Sequence, residues 1–245
     1  MEELKKFLSK EELKQKAKEW QISTSSQESK KKKNNPSEQE THIQYRFNRV
    51  EGNQGYPFSI NGLHGASFLE DVIPSLIEKK KKGEKVKILD IGAGAAFFAD
   101  QIRKTFPNDV KVYSTGLSKK TAIDYRKEYK PEGEYKLNPN DLKWRSIFEL
   151  TDFEEFDLII ETHGELEYIT KHSDALRDQT IIDYLTIIIK KLKIGGIASL
   201  APLYVFAVAS KGNFEDVLHS LEEKYQVKIT LPESGKLSGA IRIQK

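Results

Sequence analysis

From Glu84 to the end of the chain, short apolar runs alternate with stretches of helical length, and few folds tolerate that pattern. KVKILDIG, KVYSTGL, FDLIIET and GGIASLAPL read as strands, with LKWRSIF as a shorter one. Between them AAFFADQIRKTF, SKKTAIDYRKEY, DQTIIDYLTIIIKKL and FEDVLHSLEEKY read as helices. Strands that are apolar on both faces and separated by helices of ten or more residues imply parallel βαβ units with both sheet faces covered. Two closing runs, QVKITL and GAIRIQ, are joined by PESGKLS; as a hairpin they place one antiparallel strand in the sheet.

Three regions are expected. Residues 1–41 hold a charged helix over 2–20 and a polar linker with the run Lys30–Lys33, read as a solvated tether. Residues 42–83 form a cap segment rich in aromatics and glycine. It turns helical near Ser67, which caps the helix with Glu70 three residues on. Residues 84–245 form the main domain. Lys+Arg exceed Asp+Glu by only 40 to 37, so net charge gives no argument for nucleic acid. There is no cysteine, which excludes disulfides, thiolate metal sites and a cysteine nucleophile. The N-terminus lacks a signal-peptide core and no stretch is apolar enough to cross a bilayer. The expected location is the cytoplasm, with non-classical export left open and no membrane partner.

In an open α/β sheet, ligands bind beyond the C-terminal strand ends where strand order reverses. The first strand here runs into ILDIGAGAAFFADQI, where Gly92 and Gly94 allow a tight turn and close backbone approach. A dinucleotide fingerprint needs glycine or alanine where this chain has Phe97, and Asp90 would face a pyrophosphate with like charge. No Gly-Lys-Ser/Thr follows, so the turn is not a P-loop. One carboxylate beside the turn suits a small cationic ligand.

LDIGAG resembles the first motif of class I S-adenosylmethionine (SAM)-dependent methyltransferases, Asp-x-Gly-x-Gly after the first strand. FDLIIETHGELEYI is similar to that family's fourth-strand segment, and LKIGGIASLAPL to its step into strand five. The resemblance spans residue 84 to the end. It implies a doubly wound, mostly parallel α/β sheet of seven strands, with helices on both faces and a C-terminal antiparallel hairpin. It also implies that Asp90, Gly92, Ala93 and Gly94 line the methionine end of SAM, with Asp90 acting on the ammonium directly or through water. Two departures accompany it. Where the family carries a ribose-binding acid after strand two, VYSTGLS has Gly116; a charged hydrogen bond of that kind is worth about 1.5–3 kcal/mol. Where an aspartate often meets the adenine amino group, LKWRSIFEL has Ser146, which still accepts a hydrogen bond. Leu117 and Ile147 would support the ring through their backbone, and Glu149 or Asp141 is an alternative source of the acid.

The residues after strand four are the candidates for the chemistry. Glu161 and Thr162 lie where the family contacts the cofactor and nucleophile, and His163 is a candidate general base or, equally, a helix cap. Glu165 and Tyr168 follow as substrate candidates, with Tyr56 and His64 from the cap segment and Tyr204 after strand five. Phe206 would complete that wall; Tyr45, Phe47 and Phe58 line the cap or fill a small core. ETHGEL lacks the Asn/Asp-Pro-Pro-Tyr/Phe of amino-methylating DNA and glutamine enzymes, so the acceptor is expected to be an O- or N-nucleophile of a small molecule or protein. Arg242 is expected on a solvated face, and His42, His172 and His219 show no metal spacing. Two other readings remain: a non-catalytic methyltransferase-like binding module with a degenerate cofactor site, and an NAD(P) oxidoreductase.

Overall fold

The apolar run before Asp90 forms the centre of the sheet. The computed structural model describes residues 64–93, 97–115, 142–143, 147–150, 155–162, 164–165, 177–201, 214–232 and 239–245. The charged helix, the linker and Tyr45, Phe47, Tyr56 and Phe58 lie outside them. Strand β1 (Val86–Ile91) is flanked by β2 (Val110–Thr115) on one side and β4 (Phe156–Thr162) on the other, both parallel to it. The two-residue β3 (Leu142–Lys143) pairs beyond β2, and β5 (Leu192–Ala201) pairs beyond β4. The described strands run β3-β2-β1-β4-β5-β7-β6. Strand order thus reverses between β1 and β4, where such a sheet opens a crevice.

The closing strands β6 (Lys228–Thr230) and β7 (Ile241–Gln244) pair antiparallel, and β7 sits between β5 and β6. The chain is therefore α/β with a mostly parallel sheet; residues 233–238, within the β6–β7 connection, lie outside the described set.

Side-chain alternation along each strand divides the core into two layers. Val86, Ile88, Leu158 and Ile160 face one layer, built with Phe98, Ala99 and Ile102 of helix α2 (Phe97–Thr105) and with Ile73 and Leu76 of helix α1 (Ile73–Glu78). Leu89, Ile91, Ile159, Ala198 and Leu200 face the other, under α3 (Arg177–Lys191) and α4 (Phe214–Tyr225). In α3, Ile181, Tyr184, Leu185, Ile188 and Ile189 are all buried, while α4 buries only the stripe Phe214, Leu218 and Leu221. That contrast follows from the isoleucine run in one helix and the i, i+4, i+7 spacing in the other.

The turn into α1 begins with a π-helical stretch, Phe68–Val72, and the Glu70 N–H donates to Ser67 Oγ at 3.2 Å. Phe68 stacks edge-on against Phe98 of α2, so residues 64–78 pack as part of the sheet's own layer. Two local expectations are corrected. The end of LKWRSIF is not strand: beyond the short β3, the described residues Ile147–Glu149 form a 3-10 turn, with Ile147 and Phe148 buried in the α3 layer. Arg242 is not a solvated face residue: its guanidinium donates to the carbonyls of His64 and Gly65 at 2.8 and 3.1 Å.

Ile88 is fully buried on the central strand. Ile88→Ala should cost about 2–5 kcal/mol through lost transfer energy and the cavity left behind. A lower urea midpoint at unchanged m-value checks this; an unshifted midpoint contradicts the layer assignment.

Candidate functional site at the carboxyl ends of the strands

Asp90 follows Leu89 on β1 and shares the face of Ile88. Its side chain is buried at the strand's C-terminal end. Gly92 then takes a left-handed φ of +63°, which bends the chain off the sheet. Thr115, the last residue of β2, pins this bend twice. Its hydroxyl accepts from the Gly92 N–H at 3.0 Å, and its carbonyl accepts from the Ala93 N–H at 2.8 Å.

The space that a side chain on Gly92 would take is filled by the exit of β4. A Cβ built there would stand 2.6 Å from Gly164 Cα and 3.0 Å from the Glu165 nitrogen. A Cβ on Gly164 would in turn stand 2.6 Å from Glu161 Oε1 and 2.8 Å from the Ile91 carbonyl. The two bends at the strand-order reversal thus touch backbone to backbone, through a glycine on each side.

Three acidic side chains are buried at this edge: Asp90, Glu161 and Glu165. Glu161 points to the α3 layer, where Tyr184 donates its hydroxyl to Oε2 at 2.6 Å. Burial, then the charges of Glu161 and Glu165, and then that hydrogen bond hold the Tyr184 hydroxyl well above its ordinary range, so it stays a donor. Glu165 Oε2 accepts from the Ile147 N–H at 2.8 Å, which ties the 3-10 turn after β3 to the β4 exit. The Ile147 N–H is therefore committed to a carboxylate inside the protein.

On the opposite face, His64 is only 3% exposed. Its Nδ1 lies 2.7 Å from Ser199 Oγ and its Nε2 lies 2.9 Å from Thr162 Oγ1, so one imidazole joins β4 to β5. A neutral ring donates to one hydroxyl and accepts from the other.

Asp90, Gly92, Ala93, Glu161, Thr162, Glu165, Ile147 and His64 thus gather at or next to the C-terminal edge around β1 and β4. Gly94, Gly116, Leu117, Ser146, His163, Tyr168, Tyr56 and Tyr204 lie outside the described residues, as do Asp141, Phe206 and the Glu149 side chain. Thr115, Gly164, Tyr184 and Ser199 were not singled out from sequence. A hydroxyl closing the second strand and a glycine three residues after the Glu161 carboxylate are the signals that mark the first two. Tyr184 and Ser199 carry no such signal, because an apolar helix and an apolar strand surround them. Among the described residues no group of three or more His, Cys, Asp or Glu is placed to hold a metal ion. No described helix is long and apolar enough to cross a membrane.

Ionised carboxylates at a strand edge favour a cationic ligand over a diphosphate.

No family model and no curated protein matches the chain. Solved structures similar to it are methyltransferases. A precorrin-6y C5,15-methyltransferase from Geobacter metallireducens is 14% identical, with 70% of this chain and 85% of that one covered at a TM-score of 0.34. An SAH-bound methyltransferase from Podospora anserina is 17% identical, covering 70% and 75% at a TM-score of 0.42. A ribosomal protein L11 methylase from Lactobacillus delbrueckii subsp. bulgaricus is 16% identical, covering 70% and 74% at 0.40. The fold described above rests on the chain's own strand order and register.

Tyr184→Phe removes the buried hydroxyl that donates to Glu161 Oε2 and should destabilise the protein by about 1–3 kcal/mol at neutral pH. Because folding raises the tyrosine above its ordinary value of 10.0, the stabilisation is complete below that pH and is lost as pH rises further. Urea titrations across the alkaline range should therefore show the gap between wild type and variant narrowing; a constant gap would rule out the coupling.

Proposed function

We propose that the chain is a SAM-dependent methyltransferase acting on an oxygen or nitrogen nucleophile of a small molecule or protein. The observation that carries the reading is Asp90, a carboxylate buried at the end of the central strand beside the left-handed Gly92, where strand order reverses. Asp90 would hold the ammonium of the cofactor's methionine end, directly or through water. Gly92, Ala93 and Gly94 would line that end. The N–H groups of Gly92 and Ala93 already serve Thr115, so this turn offers the ligand its shape and its carboxylate rather than those two donors.

When bound, SAM would supply an electrophilic methyl on a positively charged sulfur. The chain's part is to align a nucleophile, keep water out and take a proton where the nucleophile has one. Glu161 and Thr162 close β4 beside the motif, each held by a fixed partner: Tyr184 for one, His64 for the other. Their rigidity suits positioning. His163 follows directly in the chain and is the proposed base. Ser146, Leu117 and Gly116 would meet the adenosine, with Ile147 contributing packing rather than its N–H.

Isothermal titration with SAM and S-adenosylhomocysteine tests the assignment. Both should bind, and Asp90→Asn should weaken SAM by about tenfold or more, the loss of one charged hydrogen bond. Absence of heat at millimolar ligand removes the proposal. For an oxygen acceptor, His163→Ala should lower kcat by about 100-fold or more and leave SAM affinity unchanged; full turnover ends the base role.

One observation favours the second reading, a non-catalytic binding module. VYSTGLS offers no carboxylate at Gly116, and the described donors of the turn are internally used. A folded chain that gives no heat with SAM or S-adenosylhomocysteine would support it.

A further inference from the structure

The opposite edge of the sheet carries a different chemistry. Parallel strands place the starts of β1, β4 and β5 together, about 20 Å from the site along a six-residue strand. Lys79–Lys82 and Lys85 precede β1, Lys190 and Lys191 end α3, Lys193 begins β5, and Lys245 follows β7. Asp157, buried at the start of β4, assembles them. It accepts from Lys80 Nζ at 2.6 Å, from the Lys87 N–H at 2.8 Å and from Lys193 Nζ at 3.4 Å. Lys245 donates its Nζ to the Leu192 carbonyl at 2.7 Å, which brings the fourth segment to the same place.

This edge gathers ten lysines, Lys87 included, against Glu78, Glu84, Asp109, Glu155 and Asp157. The chain as a whole is only +3, so the rest of it is net acidic. Lys79, Lys81, Lys82 and Lys85 are solvent-exposed and make no ion pair among the described residues.

Within the lysines stands Ile194, 91% exposed. It projects because β5 holds extra residues there: Phe156 pairs with Leu192, but Leu158 pairs with Ile197. Gly195 takes φ +79°, and a Cβ on Gly196 would stand 2.9 Å from the Lys193 carbonyl and 3.0 Å from that of Phe156. Backbone hydrogen bonds from Gly195 to the Lys245 carbonyl and from Lys245 to the Gly196 carbonyl brace the bulge. An apolar side chain is thus displayed on a braced turn, next in sequence to Lys193 and on the edge where the lysines gather.

We propose that this edge is a docking surface for an anionic lipid membrane, with Ile194 entering the interface and the lysines meeting the headgroups. A protein partner of this kind would need a larger apolar centre than one isoleucine. A nucleic-acid strand would need open aromatic platforms, whereas the described aromatics at this edge, Phe106 and Tyr225, are partly buried against the core. A lipid surface accepts a single protruding apolar group and gains from each added cation. The site at the other end of the strands would then face the aqueous phase. The proposal runs against the expectation of no membrane partner, which rested on the absence of a spanning segment; this patch is assembled from four separate stretches. It does not depend on the methyltransferase reading.

Flotation of the full chain with phosphatidylcholine vesicles, with and without about one-third phosphatidylserine, tests it. Binding is expected only with the anionic lipid, and lost at high salt. The triple variant Lys79→Glu, Lys81→Glu, Lys82→Glu should weaken binding by more than about tenfold, and Ile194→Ser by several-fold, both with unchanged melting temperature. A variant with Lys30–Lys33 changed to glutamine should bind as wild type. Equal binding to neutral vesicles, indifference to Ile194→Ser, or loss only on neutralising Lys30–Lys33 would each overturn the proposal.

Discussion

The close approach of Gly92 to Gly164 sets the geometry at the carboxyl-terminal edge of β1 and β4. Two strands that lie side by side must leave the sheet in bends that do not collide, and here the bends are in backbone contact. Any side chain at either position would have to push β4's exit away from β1's. Asp90 and Glu161 are attached to those bends, so their separation is fixed by main-chain packing rather than by flexible loops. A site that must hold a carboxylate at a fixed place beside a ligand gains from that arrangement, since little reorganisation is left to perform on binding.

Placing three carboxylates in a mostly apolar sheet has a cost, and the surrounding residues offset it in different ways. Glu161 is met by a phenol from the apolar helix α3, and Glu165 by a backbone N–H from the turn after β3. Both of these partners are neutral hydrogen-bond donors. A lysine or arginine in Tyr184's place would solve the same burial problem and bring in a positive charge. The polarity of the edge is thus compatible with its stability.

The strands and helices that carry the site were legible because burial on two faces writes itself as uninterrupted apolar runs. FDLIIET, KVKILDIG and the isoleucines of α3 are read in this way, and the structure places them as central elements. Asp90 and Gly92 were legible for a related reason: a charge and a flexible residue at the end of such a run interrupt it. Tyr184 and Ser199 interrupt nothing, and the hydroxyl of Thr115 marks only the end of its strand. Each polar atom is matched by a residue far away in sequence, and pairings over such separations leave no local trace. LKWRSIF holds the short strand expected of it, and only its end misled, because an apolar pair there is also satisfied by a 3-10 turn that buries Ile147 and Phe148 together. Arg242 misled because a strand residue's outward face says nothing of what packs on it; here that is the segment at His64.

The separation of charge between the two edges follows from the architecture. In a parallel α/β sheet every helix runs back against the strands, so helix N-termini gather at the site edge and C-termini at the other. Asp100 in α2 and Glu215 and Asp216 in α4 occupy first turns, whereas Arg103, Lys104, Lys190, Lys191 and Lys224 occupy last turns. Each placement complements a helix dipole by itself. Repeated over several helices, it sorts acids to one edge and bases to the other without any demand from function. Lys79 caps α1 and follows the same rule, whereas Lys81, Lys82, Lys85 and the isoleucine of the β5 bulge lie outside any helix end and are not accounted for by it.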